Sequence, residues 1–267
     1  MTRRPAVAGL FYPASRVELA RTVDRLLVPR PAPRLRGLVA PHAGYAYSAA
    51  VAASAFSLVP ASARVALLAP SHFVPLESLA VSSADAWETP LGTVAVAHDL
   101  RAAAVAAGAV VDDAPHTRDH AIEVELPFLQ RACTERLEIL PVAVGLASAV
   151  RVADVIEAVA ARGALVVVST DLSHYRDEAT ARRLDAVTAG AVLDREPAGL
   201  VDACACGVHA LRGLVEHARR RDLQFELLGL STSADTTGDR ASVVGYGAFA
   251  LVAGKGRPSG DCALRGG

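Results

Sequence analysis

Three histidines, one cysteine and one aspartate sit where they could grip a metal ion. His42 lies in Pro41-His42-Ala43-Gly44, His72 in Pro70-Ser71-His72, and His174 in Ser169-Thr170-Asp171-Leu172-Ser173-His174. Each motif follows an apolar run rich in strand-forming residues: 34–40, 64–69 and 164–168. A lone histidine of this kind is more often a turn or cap residue. Recurrence of one reactive side chain at one structural address is what points to a site. Cys206 stands before a glycine and a helix-prone segment, a setting expected to make its thiol electropositive in surroundings. Imidazole suits iron, copper, zinc and nickel, and a thiolate shifts the preference toward softer ions such as Fe(II), Cu(I) or Zn. Two or three histidines with Cys206 and Asp171 would fill a mononuclear site and leave positions open.

The elements that must position these residues alternate along the chain. Helical spacing covers Glu18 to Leu27, and the stiff stretch Val28-Pro29-Arg30-Pro31-Ala32-Pro33 cannot continue it. Helices are expected over 47–58, 99–107, 120–132, 148–162, 177–193 and 208–219, with Pro127 inside the third. Short strands are expected at 79–83, 92–96 and 109–111, with Trp87 in the turn between the first two. Longer ones are expected at 137–144, 164–169, 223–230 and 243–252. The pattern predicts one α/β domain over 1–253, with a central mixed, largely parallel sheet flanked by helices. The tail 254–267 reads as disordered. If the three apolar runs are parallel strands, the histidines lie beyond their carboxyl ends, where open α/β sheets place ligands.

Charge is balanced, with 27 basic and 28 acidic residues, and no basic cluster calls for nucleic acid. The arginines at 219–221 follow a helical segment and read as a solvated helix end. No stretch reaches the roughly 18 uninterrupted apolar residues of a membrane span, and the N-terminus lacks the apolar run of a signal peptide. A cytoplasmic location with reduced cysteines is expected. Cys133 reads as core, Cys262 lies in the tail, and Cys204 is a spare ligand or redox partner at most. The polar loop 231–239 has no Gly-x-x-x-x-Gly-Lys, and no Gly-x-Ser-x-Gly elbow occurs, which removes P-loop and serine-hydrolase chemistry. His98, His116, His209 and His217 share no pattern and read as surface or cap residues.

Seven ordered blocks give the chain a family resemblance over nearly its full length. They are Pro5-Ala6-Val7-Ala8-Gly9 with Phe11-Tyr12-Pro13; Ala40 to Ser48; Pro70-Ser71-His72; Asp119 to Gln130; Ser169 to Tyr175; Cys206-Gly207; and Thr237 to Tyr246. The chain resembles the Memo family, called AmmeMemoRadiSam system protein B in bacteria. That resemblance implies a fold similar to class III extradiol dioxygenases, which are non-haem Fe(II) enzymes. It implies His42, His72 and Cys206 as metal ligands, with His174 as proton shuttle or fourth ligand and Asp171 as its orienting partner. Fe(II) is the expected metal, with Cu or Zn as alternatives, and the substrate is an unidentified small molecule.

A thiolate where the dioxygenases use a carboxylate softens the site and exposes an oxidisable group to oxygen. The resemblance therefore leaves a second function open, a non-catalytic scaffold that keeps the pocket for a peptide or protein partner. Eukaryotic relatives are linked to receptor signalling and phosphopeptide contact; bacterial ones occur with a radical-SAM protein and an AMMECR-type protein. A third reading is a zinc hydrolase with His174 as general base. Tyr47 is expected in or beside the pocket as a substrate contact or wall. His120 is expected to open a helix and to line the pocket; a hydrogen bond with Glu123, one turn on, is one reading, and an N-terminal helix contact for both is the safer one.

Overall fold

The structure, a computed structural model, describes residues 1–254. Its strands, in chain order, are β1 Thr2–Arg3, β2 Leu35–Ala40, β3 Ser62–Pro70, β4 Leu79–Val81, β5 Ala86–Thr89 and β6 Gly92–Val96. They continue with β7 Val110–Val111, β8 Arg136–Val144, β9 Leu165–Ser169, β10 His174–Arg176, β11 Leu223–Thr232 and β12 Val243–Ala253. All twelve join one sheet, whose main path runs β1-β5-β6-β8-β3-β9-β2-β12-β10. The block β6-β8-β3-β9-β2 is parallel throughout. β12 then runs antiparallel to β2 and carries β11 and β10, also antiparallel. The expected tail and Cys262 fall outside the described residues, apart from Gly254.

The central strands are buried on both faces, which is why they read as continuous apolar runs and not as alternating ones. Side-chain alternation still splits them between two cores. Val39, Leu68, Val166 and Val168 face one layer with Ile156 and Leu211, from helices Ala149–Ala160 and Val208–Arg220. Leu38, Leu67 and Val167 face the other, with Phe56 of helix Tyr45–Phe56 and Phe128 of helix Leu126–Ala132. Burying a side chain of this size contributes about 1.5–3 kcal/mol. Two filled faces thus hold the strand ends rigidly enough to carry a site.

Register decides which loops meet. β9 lies between β3 and β2, with Leu68 beside Val168 and Ala40 beside Ser169. The loops after β2 and β3 therefore leave the same edge on either side of β9, carrying His42 and His72. His174 departs from the expected placement. It does not hang beyond a strand but forms β10, paired with Val244 of β12.

The expected helix 120–132 is also broken. A tight 3₁₀ turn at Glu123–Glu125 precedes helix Leu126–Ala132, because Pro127 has no N–H to continue the hydrogen-bond ladder. The helix expected from Tyr47 starts two residues earlier, where the Tyr45 N–H donates to Phe11 O at 2.7 Å. Trp87, expected in a turn, belongs to β5. No described helix is long and apolar enough to cross a membrane.

Candidate metal centre

His42 follows β2 and is buried; its ring is fixed from behind by a hydroxyl. Ser169 Oγ donates its single proton to Ala121 O at 2.9 Å, so at 2.8 Å from His42 Nδ1 it must accept. Nδ1 therefore carries the hydrogen, and the Nε2 lone pair is left facing Cys206 Sγ at 3.3 Å. His72 is held in the same tautomer by a carboxylate. Its Nδ1 lies 3.1 and 3.2 Å from the Asp119 oxygens, and its backbone N–H donates to Asp119 Oδ2 at 2.7 Å. His174 Nδ1 donates to Leu172 O at 2.7 Å. Three histidines are thus braced through Nδ1, which leaves each Nε2 as the atom presented for a metal or a proton.

Cys206 reaches this edge because the chain before helix Val208–Arg220 packs directly on the end of β9. Its N–H donates to Asp171 O at 3.2 Å, and the Gly207 N–H donates to Thr170 Oγ1 at 2.8 Å. A Cβ at position 207 would lie 2.8 Å from Thr170 Cβ and 2.9 Å from Ser169 O, so glycine is what permits the approach. Sγ accepts from the Asp171 N–H at 3.3 Å. The expected electropositive setting does not lower this thiol: burial, aided by the nearby Asp171 carboxylate, pushes it up to about 12.

Asp171 does not orient His174. Its Oδ1 accepts from the His42 N–H at 2.9 Å and the Ala43 N–H at 3.3 Å, because the adjacent pairing of β9 and β2 puts this carboxylate over the His42 loop. Burial raises it to about 7 against those two hydrogen bonds. Glu123 does not hold His120 either. It is buried and tied to the N-terminal segment, accepting from Arg3, from the Ala6 and Val7 amides at 2.7 and 3.0 Å, and from the Tyr12 hydroxyl. His120 instead stacks on His72, with centroids 4.8 Å apart and planes at 14°, and contacts Phe11 at 4.4 Å. Of the other histidines, His116 is buried and bonded to Ala80 O, and His217 is buried too, so neither is a surface residue.

Burial disfavours the charged form of His42, His120 and His174. Burial, and then the neighbouring rings of His72 and His120, hold His42 well below the usual histidine range. Burial and His72 bring His120 down to about 4, and burial also lowers His174. Asp119 moves the other way. Burial opposes ionisation, but the His72 ring and the His72 and Ala121 amides outweigh it and hold the carboxyl at about 2.

His42, His72, His120, His174, Asp171, Cys206 and Tyr47 all line one cavity of about 770 Å³. Within it, one ligand atom each from His42, His72 and Cys206 lies within 4.8 Å of the others. Bonds of about 2.0–2.3 Å to a central ion demand donor separations of this order. Two imidazoles and one thiol fit a soft or borderline ion and leave coordination positions toward the cavity. His72, Asp119 and His120 meet the same distance condition, yet Asp119 already spends its oxygens bracing His72. The sequence reading missed Asp119 and Ser169. The adjacency of Asp119 to His120 was a visible signal, whereas Ser169 acquires its partner only through strand register. Ser233, Thr237, Asp239 and Ser242 form another wall, which gives the polar loop 231–242 a place in the pocket.

The model of the family described as Memo-like protein matches residues 3–250. A MEMO1 family protein of Methanothermobacter thermautotrophicus is 35% identical over 276 residues, covering 92% of this chain and 99% of its own. One of Aquifex aeolicus is 34% identical, with 91% and 97% covered. One of Nitrosopumilus maritimus is 31% identical, with 94% and 100% covered. With full-length relatives at this identity and a family model spanning almost every described residue, the chain belongs to the Memo family.

Proposed function

We propose that this protein is an Fe(II)-dependent oxidoreductase acting on a small organic substrate in the cavity beside His42, His72 and Cys206. The observation that carries the reading is the convergence of three ligand atoms from three separate loops, within 4.8 Å of one another, at the carboxyl edge of a parallel sheet. The dioxygenase-like chemistry that the family resemblance implies favours iron over zinc. Bound there, iron would supply one-electron redox chemistry and open positions facing the cavity.

The protein's own part is to hold and to exchange protons. Ser169 and Asp119 fix the two imidazoles with Nε2 presented. Asp171 pins the backbone of the His42 loop, so the ring cannot swing away from Cys206. His174 Nε2 is free at the cavity wall while Nδ1 is locked on Leu172 O, which suits it to take a proton from substrate and return it. Phe11 and Tyr47 add aromatic faces to the lining.

The test is anaerobic purification, reconstitution with Fe(II), Cu(I) or Zn(II) in turn, and metal analysis. About one equivalent of iron, lost in His42→Ala, is the expected result. Less than about a tenth of an equivalent of every metal would overturn the proposal.

A further inference from the structure

The parallel block carries a second groove at its other end. Leu35, Ser62, Arg136 and Leu165, the first residues of β2, β3, β8 and β9, all line it, so it lies at the edge opposite His42, His72 and Cys206. Its volume of about 890 Å³ is that of a small-molecule site. Four arginines line it, Arg30, Arg36, Arg64 and Arg136, and no carboxylate does. Two of the four are already paired. Arg64 meets Asp99 and Glu138 and donates to Arg162 O just past a helix end; Arg136 meets Glu138 at 3.0 Å. Arg30 and Arg36 differ. Both are exposed, and each gives one side-chain nitrogen to a backbone oxygen, Ser54 O at 3.2 Å and Leu35 O at 2.8 Å. Neither meets a carboxylate among the described residues.

A buried group points the same way. His217, in the last turn of helix Val208–Arg220, lines the groove although it is only 6% exposed. Its Nδ1 has no hydrogen-bond partner among the described residues, and Glu157 Oε1 stands 3.8 Å off, beyond reach. His42, His72 and His174 are each pinned through Nδ1, whereas no bond fixes which nitrogen His217 offers. A buried polar atom without a partner calls for one that the protein itself does not supply. Guanidinium forks free of carboxylates match phosphate oxygens, and the apolar wall of Pro31, Pro33 and Leu58 suits the body of the same molecule. We infer that this groove binds a phosphorylated small molecule of nucleotide size, its phosphate held by Arg30 and Arg36 and its body on the proline wall beside His217. The inference stands whether or not the opposite cavity holds a metal.

ADP, adenosine and pyrophosphate, each titrated into the metal-free protein, test it. The readout is the ring Cε1–H resonance of His217, with those of His42, His72 and His174 reporting the other edge. ADP should shift His217 at concentrations that leave those three unmoved, and adenosine should not shift it. Arg30→Ala and Arg36→Ala, both at exposed positions, should each weaken ADP by at least about tenfold, the loss of a charge-assisted hydrogen bond. Arg21→Ala, an exposed arginine of helix Arg16–Leu26 outside the groove, should leave ADP binding unchanged. Adenosine binding as tightly as ADP would overturn the inference, as would ADP shifting the other three rings first, full affinity in the Arg30→Ala/Arg36→Ala double variant, or no shift with any probe. Pyrophosphate binding as tightly as ADP would overturn the organic ligand in favour of an inorganic one.

Discussion

His42 and His72 flank β9 and are presented in the same tautomer, but what stands behind each ring differs. Behind His42 is a neutral hydroxyl, Ser169, itself spent on Ala121 O; behind His72 is the ionised carboxylate of Asp119. His42 is fully enclosed, whereas the His72 side chain is about a quarter exposed. A buried ring can be fixed by shape and one hydrogen bond. A more exposed ring needs a stronger hold, and a carboxylate supplies that while making the imidazole more basic toward a metal. The two brackets therefore make unequal contributions, and the inequality can be measured.

The largest effect should come from the sulfur common to both. Cys206→Ser removes the thiolate toward which both imidazoles converge. Metal affinity should fall by more than about 100-fold, beyond the 10–100-fold typical of groups that only orient ligands. Competition against a chelator of known affinity checks it. A loss below about tenfold would mean that His42 and His72 act without the thiol.

Next is Asp119→Asn, which keeps the shape of the bracket and removes its charge. Metal affinity should drop by about 10–100-fold. If the bracket acts through basicity, a single substitution on the His72 side should outweigh its counterpart on the His42 side.

The pH dependence isolates the thiol. With burial raising Cys206 to about 12, the sulfur is protonated at neutral pH in the metal-free protein, and binding must expel that proton. Affinity should therefore rise by about tenfold per pH unit from pH 7 upward, and Cys206→Ser should remove that slope. A flat profile in the parent protein would show that the sulfur is not a ligand.

Much of this was legible in the sequence, for a physical reason. The strands β2, β3 and β9 are buried on both faces and so announce themselves as apolar runs, and the residues at their carboxyl ends follow directly. His42 and His72 were therefore readable together, and Cys206 joined them through the family resemblance. The bracing residues were not. Ser169 meets His42 only because Ala40 pairs with Ser169 in register, and Asp119 meets His72 from a segment whose helix Pro127 interrupts. The role of Glu123 was hidden for the same reason. Helical spacing offered it a bond to His120 or a helix N-terminus, but the 3₁₀ turn aims it at the amides of Ala6 and Val7. Element type follows from local pattern, while hydrogen-bond partners follow from packing that the pattern does not encode.

The smallest effect on metal binding, and the sharpest test of the contrast, is Ser169→Ala. It leaves the His42 Nδ1–H and the Ala121 carbonyl without their shared partner in a buried site, which costs about 1–3 kcal/mol of stability. Thermal unfolding should show that loss clearly. Metal affinity should change less than in Asp119→Asn, by about tenfold at most, because no charge is removed and the ring remains enclosed. The ¹⁵N spectrum of the metal-free protein reports the tautomer directly: Nδ1 of His42 should be protonated in the parent, and the variant should populate the Nε2–H form as well. If Ser169→Ala weakens metal binding as much as Asp119→Asn, carboxylate and hydroxyl are equivalent supports and charge has no part in the bracket. If the tautomer is unchanged, enclosure alone orients His42, and the hydroxyl serves the fold and not the site.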